Sequence, residues 1–551
     1  VPEGLDRARQ IGTIVRVQLQ GRRVRGWVLE DDVIPDPGVR LKPLAKVTGR
    51  GPDATVIDLA RWAAHRWAGR TVHLLRTASP ERAVDHLPPD RRTGGAGTDD
   101  DQAGRDSAPV GLSLLRRPPS TDPLPLIAGL VGQGPVIVVA PTRRQVRSVA
   151  DAARSRGLGV AVVPGEWAQA RSGADVVIGT RAAVWASVPA LGAIVVLDEH
   201  DEALQQEQAP TWQARDVAIE RARRAGVACV LVSPVPSLAA LAVTQPAVLS
   251  RMEERSGWPV IDLIDRRREP PGRLGLFSDR LVPHLRRPGR ILCVLNRTGR
   301  SRLLACAACG ELARCEQCAA AVAEVEAGRL DCRHCGQSRP RLCAACGSQT
   351  LKNLRLGVGR AREELAALVR EPVGEVTATT GTTPTERIVI GTEAVLHQFG
   401  EAAVVAFLDV DQELVAPRYR AVEQALALLA RGARLLGGRA DGGRLVLQTR
   451  IPDHEVLQAV LHADPGRIVE AERARRELLG FPPAVALASV AGPGAEAFVG
   501  TLELGPRSEL LGPRDGSYLL RSPDPVVLAD CLATGTRPSA RVRIHVDPAR
   551  V

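Results

Sequence analysis

Lysine is almost missing from this 551-residue chain, which holds it only at Lys42, Lys46 and Lys352. A phosphate-binding loop of the Gly-Lys-Ser/Thr kind needs a lysine beside the β and γ phosphates. None lies between Lys46 and Lys352. Aromatics are scarce too, with seven Trp, two Tyr and five Phe, too few for extended stacking along single-stranded nucleic acid. No apolar run reaches bilayer-spanning length, and Val1-Pro2-Glu3-Gly4 lacks the basic and apolar regions of a secretory signal. Together these lead to the expectation of a cytoplasmic protein without membrane contact. In such a reducing compartment Cys229, Cys293 and Cys531 read as plain buried thiols.

What the chain does have is arginine. Its formal net charge is +11 and its pI about 9.5, an imbalance that favours a polyanionic partner such as nucleic acid. It also has eight of its eleven cysteines in four Cys-x-x-Cys pairs: Cys306/Cys309, Cys315/Cys318, Cys332/Cys335 and Cys343/Cys346. Such a pair sets two thiolates on one side of a tight turn, and two pairs close a four-sulfur shell around Zn²⁺. Gly310, Gly336 and Gly347 follow three of the pairs and supply the positive φ that a knuckle needs after its second ligand. Disulfides are the competing reading, disfavoured for clustered thiols in a long chain without export signals. Two closed, structural zinc sites are expected, with His334 as a loop residue. Spacing alone leaves three ways of pairing the pairs.

Alternation through Thr13–Leu19, a turn at Gln20-Gly21 and a return through Val24–Leu29 predict a β hairpin in a small barrel or sandwich. Arg16, Arg22, Arg23 and Arg25 cluster on it near Trp27, a set suited to phosphate contact with base stacking and equally to a solvated face over a core tryptophan. Residues 90–119 turn to Gly, Asp, Arg, Ser and Pro, the composition of a disordered linker. Beyond it, apolar runs at Val136–Val139, Val176–Ile178, Ala193–Leu197 and Cys229–Val232 alternate with helix-length segments Thr142–Arg154 and Ala214–Ala225. A second set has strands at Ile291–Leu295, Ile388–Ile390, Val404–Leu408 and Leu445–Leu447, with helices Arg360–Val369 and Arg420–Leu436. This is the alternation of two α/β lobes with parallel sheets, the cysteines inserted in the second.

Short motifs keep a common order along the chain. The first lobe has Gly179-Thr180-Arg181, His200-Asp201, Gln206, Pro210, Ala214-Arg215-Asp216-Val217-Ala218 and Pro236-Ser237. Asn296-Arg297-Thr298-Gly299 leads into the cysteines, and Gly391-Thr392, Pro417-Arg418-Tyr419-Arg420-Ala421, Glu423 and Gln448-Thr449 follow them. Leu479-Gly480-Phe481-Pro482-Pro483 and His545-Val546-Asp547-Pro548 close the series. In these motifs the chain resembles the PriA family of replication restart proteins (primosomal protein N′), as a helicase-motif-deficient member of the actinobacterial type.

The resemblance implies an α/β fold of two tandem helicase-like parallel-sheet lobes with a two-zinc Cys-rich insertion in the second, a small N-terminal β domain and an α+β C-terminal domain. Its boundaries would be a 3′ DNA-end-binding domain at 1–89, the linker at 90–119, lobes at 120–265 and 266–465 with the zinc insertion at 304–349, and a C-terminal domain at 466–551. It implies nested zinc pairing, with Cys306, Cys309, Cys343 and Cys346 on one ion and Cys315, Cys318, Cys332 and Cys335 on the other. The winged-helix domain that the family carries between its β domain and first lobe is expected to be absent.

The nucleotide site reads as degenerate. Gly129, Gly132 and Gly134 are what remains of a phosphate loop whose Gly-Lys-Thr segment and following helix look deleted, so the usual cradle is lost. Ungapped comparison puts Leu197 where the family has its Mg²⁺-binding aspartate, while a one-residue gap lets Asp198 and Glu199 serve. The two transition-state arginines fall on Leu435 and Gly438, with Arg431, Arg434 and Arg439 nearby on other helical faces. Ser233-Pro234-Val235-Pro236-Ser237 lacks the threonine that helps couple the lobes. No catalytic residue is assigned, and ATP and Mg²⁺ are not expected to be used.

The expected function is that of a scaffold, associated with the nucleoid, that binds forked DNA or a single-strand/double-strand junction. It would work with primosome and helicase-loading proteins and single-strand-binding protein to load the replicative helicase. The alternatives are an ATP-dependent 3′-to-5′ helicase with an atypical site and a zinc-ribbon protein-interaction adaptor.

Overall fold

The computed structural model describes residues 10–34, 44–92, 111–269, 275–296, 304–326, 328–332, 335–353, 358–377, 380 and 382–550. Arg297, Thr298, Gly299 and His334, and residues 93–110 of the expected linker, lie outside them.

The first lobe is built on a seven-stranded sheet in the order Pro246–Ala247, Leu112–Arg116, Ala228–Ser233, Ala193–Leu197, Val136–Val139, Val176–Gly179, Val160–Val163. Every pairing in it is parallel. Strands buried on both faces must be apolar throughout, and Val136–Val139, Val176–Gly179 and Ala193–Leu197 are buried along their whole length. Helix Arg143–Ser155 covers one face. The Thr142 hydroxyl caps it by accepting from the Gln145 amide, and Val146, Val149, Ala150 and Ala153 form its buried stripe. Helix Ala214–Ala225 ends at Gly226, whose left-handed backbone closes the last turn.

The second lobe has a six-stranded parallel sheet, ordered Val260–Asp265, Arg444–Thr449, Val404–Phe407, Ile291–Val294, Ile388–Gly391, Val373–Val376. Two lobes boundaries therefore shift. Strand Leu112–Arg116 is an inner strand of the first sheet and no part of a linker. Val260–Asp265 pairs in the second sheet, although the first lobe was expected to run to residue 265. At the front of the linker, the Arg91 amide donates to the Gly173 carbonyl at 3.0 Å, tying that end down as well.

Between Ile291–Val294 and helix Val358–Val369 the cysteine-rich module is inserted. Strands Leu304–Cys306 and Leu351–Asn353 close its base, and Val322–Glu326, Arg329–Cys332 and Ser338–Pro340 form a three-stranded sheet. Ala305, Leu312 and Ala321 join the second lobe's apolar core, and the Ala321 amide donates to the Val415 carbonyl at 2.9 Å.

Residues expected as a small β domain instead combine a three-stranded sheet, in the order Arg22–Trp27, Ile14–Leu19, Lys46–Gly49, with helices Ala54–Arg66 and Thr71–Ala78. Ile57, Leu59, Trp67 and Leu74 from this helical part pack into a core shared with the first lobe and the C-terminal sheet. That last sheet is antiparallel, ordered Glu509–Arg514, Ser517–Ser522, Ala486–Ala491, Arg543–Val546, with helices Ala495–Val499 and Pro525–Thr534.

The turn after Arg543–Val546 meets three neighbours at once. The Asp547 carboxylate pairs with Arg66 at 2.8 Å, and its carbonyl accepts from Gln205 at 2.8 Å. Thr211 Oγ1 exchanges hydrogen bonds with the Val546 backbone, and the Tyr419 hydroxyl donates to the Pro548 carbonyl at 2.7 Å.

Candidate metal centres, nucleotide cleft and nucleic-acid interface

The eight clustered cysteines assemble into two groups: Cys306, Cys309, Cys343 and Cys346, and Cys315, Cys318, Cys332 and Cys335. Within the first, Cys306–Cys346 and Cys309–Cys343 stand 3.6 Å apart; within the second, Cys315–Cys335, Cys318–Cys332 and Cys318–Cys335 are at 3.5 Å. A tetrahedron with metal–sulfur bonds of about 2.3 Å has edges of about 3.8 Å, so these shells fit such an ion.

The four knuckles repeat one hydrogen-bond pattern. In each, the amide after the second cysteine donates to the first cysteine's carbonyl, as Gly310, Ala319, Gly336 and Gly347 do to Cys306, Cys315, Cys332 and Cys343 at 2.9–3.0 Å. All four donors have left-handed backbone, with φ of 77, 58, 78 and 74°. Ala319 is the knuckle residue that a search for glycine passes over. Elsewhere, burial pushes the Cys229 and Cys293 thiols up to about 12, as befits inert core residues.

Ligands of open α/β sheets bind outside the carboxyl ends of the strands, and the three glycines expected there lie elsewhere. Gly129 lies within helix Leu124–Val131 and Gly132 caps it. Gly134 precedes strand Val136–Val139 and packs against the Ala190 carbonyl and Gly192. These glycines mark the amino end of the sheet, away from any phosphate. The helix thought deleted is present as Leu124–Val131, so the loop in the phosphate-binding position is Arg117–Pro123, which joins Leu112–Arg116 to it.

That loop offers little to an anion. Pro118, Pro119 and Pro123 have no N–H. The amides of Arg117, Ser120 and Thr121 donate to the carbonyls of Ser233, Gly257 and Pro118, and the Leu124 amide to the Asp122 carboxylate at 3.0 Å. Asp122 thus sets a negative charge at the helix N-terminus, where a phosphate would otherwise sit.

The strand-end carboxylates are equally committed. Leu197 ends its strand buried in the core. Asp198, in left-handed backbone at φ 51°, receives both terminal nitrogens of Arg434 and, at 3.0 Å, Gln145 Nε2. Burial alone would raise its pKa, but the Arg434 charge and hydrogen bonds hold Asp198 well below the usual carboxylate range. Glu199 is fully buried and accepts from the Ser237 amide and hydroxyl, each at 2.7 Å, with Arg215 at 3.4 Å. All four carboxylate oxygens of the two acids already accept from a protein donor. Arg431 and Arg434, expected on different helical faces, stand three apart and reach the same strand end, Arg431 pairing with Asp201. Their i,i+3 spacing was the signal that could have found them.

In the N-terminal sheet the register sorts the arginines. Arg16 lies opposite Arg25 on one side and Lys46 on the other, and Arg23 lies opposite Gln18. Directly opposed residues share a face, so Arg16, Arg23, Arg25 and Lys46 line one surface, while Arg22, opposite Leu19, faces the other way. Burial first, then the charges of Arg16 and Arg76, lower the pKa of Arg25. Trp27 is no free stacking platform. Its indole N–H donates to Ser79 Oγ at 2.9 Å, and the Arg25 guanidinium lies 5.5 Å from its ring centre.

Residues 1–80 match the family model described as the 3′DNA-binding domain (3′BD) of PriA. The replication restart protein PriA of Haemophilus influenzae is 30% identical over 58% of this chain and 47% of its own length. The probable replication restart protein PriA of Mycobacterium tuberculosis strain H37Rv is 29% identical over 88% of this chain and 82% of its own. The chain thus spans about half the length of the first of these relatives and most of the second. Among solved structures, yeast Dbp5 bound to RNA and ADP BeF3 overlaps 68% of this chain and 90% of its own at 10% identity and a TM-score of 0.39. The two-lobe fold rests on the strand orders given above. The sequence matches bear out the resemblance to the PriA family. Among the described residues no helix is long and apolar enough to cross a membrane.

Proposed function

We propose that this chain, a relative of the replication restart proteins PriA, binds forked DNA or a single-strand/double-strand junction and helps load the replicative helicase there without turning over ATP. The observation that carries the reading is a contrast. A matched DNA-end domain presents four cations on one face, while the nucleotide positions are filled by the chain's own prolines, carboxylates and arginines.

Arg16, Arg23, Arg25 and Lys46 supply phosphate contacts near a strand end. Burial first, then the Arg16 and Arg76 charges, weigh on the Arg25 cation, and a phosphate settling beside it offsets the charge part of that cost. With Trp27 pinned, affinity comes from charge rather than stacking. The two cysteine centres would each hold one zinc ion. Four thiolates complete a tetrahedral shell and leave no open position, so the metal's contribution is to brace the module against the second lobe. The exterior of this module and the C-terminal domain are the surfaces left for primosome, helicase-loading and single-strand-binding proteins.

Binding of a synthetic fork, measured across a salt series, tests the first half. Four phosphate contacts give a log–log slope of about −3, and Arg16→Ala with Arg25→Ala should flatten it by about 1.5. A slope near zero overturns phosphate recognition. ATP hydrolysis on the same fork tests the second half. Turnover at background is expected, whereas fork-stimulated hydrolysis that Glu199→Gln abolishes overturns the loss of the nucleotide site.

A further inference from the structure

Helix Ala421–Arg434 of the second lobe runs across the carboxyl end of the first lobe's sheet. Gln424, Arg431 and Arg434 stand seven and three residues apart, a spacing that keeps them on one helical face. All three reach a single segment of the other lobe. Gln424 donates to the Glu202 carboxylate, Arg431 pairs with Asp201, and Arg434 grips both oxygens of Asp198. The remaining guanidinium nitrogen of Arg434, Nε, donates to the Pro119 carbonyl at 3.1 Å, so one side chain ties the strand-end acid and the former phosphate loop to the second lobe. Arg431 also meets His397 Nε2 at 3.0 Å, which fixes it from its own side.

The same seam is fastened elsewhere. The Leu238 amide of the first lobe donates to Glu423 at 2.8 Å, and Arg144 donates to the Gln398 carbonyl at 2.9 Å. Near Arg434 there is no slack: a Cβ at Gly438 would stand 2.7 Å from the Ser256 carbonyl oxygen. In a nucleotide-driven pair of lobes, the bound phosphates and their metal join the two halves, and release lets them part. Here Asp198 and Asp201 are already neutralised by cations from across the cleft.

We propose that Arg431 and Arg434 form a built-in clasp that stands where a bound nucleotide would join the lobes, holding them in one closed arrangement that ATP neither makes nor breaks. This goes beyond the loss of turnover, since lobes without ATPase activity could still swing apart. It also means that DNA and protein partners meet a preformed surface. The bidentate geometry at Asp198 gives the clasp its direction, and Gln424 on the same helix face adds a further tie to Glu202.

Hydrogen–deuterium exchange on the full, zinc-loaded chain tests this. In Arg431→Ala/Arg434→Ala, exchange over residues 198–206 and 236–242 should quicken at least roughly tenfold, the response expected when a closing interaction worth about 1.4 kcal/mol is lost. The inner strands Val136–Val139 and Val404–Phe407 should keep their protection. A non-hydrolysable ATP analogue with Mg²⁺ should leave the native pattern unchanged. Native-like exchange in the double variant, or an analogue-induced change across the seam of the native protein, overturns the clasp. If the inner strands of the variant lose protection as well, Asp198→Asn, which removes the charge at constant shape, is read the same way. A rise confined to the two seam segments supports the clasp and no rise overturns it. Hydrolysis measured on the same samples separates the two ideas: an analogue-induced change across the native seam without turnover refutes the clasp alone, and turnover refutes the reading of the nucleotide site.

Discussion

Replacing Ala319 with glycine is expected to tighten metal binding at the Cys315/Cys318/Cys332/Cys335 centre and leave the other centre as it is. Ala319 holds φ 58° where the other three knuckles use glycine. A left-handed backbone costs a non-glycine residue about 1–2 kcal/mol, and glycine brings back about 0.5–1 kcal/mol of extra chain entropy on ordering. The side chain is exposed, so no packing is lost. The net gain is about 0.5–1 kcal/mol, or about two- to fivefold in affinity where metal binding and folding of the knuckle are coupled. Gly336→Ala in the same centre is the converse. Nothing lies within 4 Å of the added methyl, so its penalty comes from the backbone alone and should weaken the site by a similar factor. Competition against a chromophoric chelator reads both, with the Cys306/Cys309/Cys343/Cys346 centre as internal reference. Weaker binding in Ala319→Gly, or an equal shift at both centres, would refute the reasoning.

Cys332→Ser should release one zinc equivalent of two and unfold residues 322–340 while the second lobe's parallel sheet stays folded, as metal analysis and exchange mapping would show; loss of both ions would mean the centres are not independent. Asp411 is fully buried, and burial together with the neighbouring Asp409 charge raises its pKa from 3.8 to about 7, despite hydrogen bonds from Thr449 and the Arg450 amide. A carboxyl group raised on folding binds more protons folded than unfolded between those values, so its contribution is complete below about pH 4 and fades towards pH 7. Relative to Asp411→Asn, the native melting temperature should therefore fall between about pH 4 and 7, by about 2–4 °C per kcal/mol. A constant difference would show that Asp411 does not titrate in this range.

Periodicity made most of the scaffold legible. Val136–Val139, Ala193–Leu197 and helix Ala214–Ala225 lie where the apolar runs put them, because a strand buried on both faces has no freedom in composition. Cysteine spacing located the metal module for a similar reason, since ligand chemistry admits few residues. The nucleotide cleft was harder. Glycine is a signal for a phosphate cradle and also for a tight turn before a strand, and only the sheet shows that Gly134 stands at the wrong end. The real loop was hidden by its prolines, which resemble linker. Arg434 was hidden by matching positions to a motif, when its partner Asp198 lies 236 residues away and meets it only after both lobes fold. Arg22 was grouped with its neighbours because sequence proximity ignores the alternation of a strand.

The turn at Val546–Pro548 also has a bearing on the order in which this molecule can be put together. It bonds to residues 481, 342, 335 and 129 positions earlier, in Arg66, Gln205, Thr211 and Tyr419. Each sheet can close once its own last strand has left the ribosome. The N-terminal helices and both lobes must then wait, partly docked, for a segment made some 340 residues after Gln205. Synthesis at about 5–20 residues per second leaves that surface uncovered for tens of seconds. During that time the half-made chain presents its apolar seams to chaperones, and a ribosome that stalls before this turn leaves a protein with folded parts and no keystone.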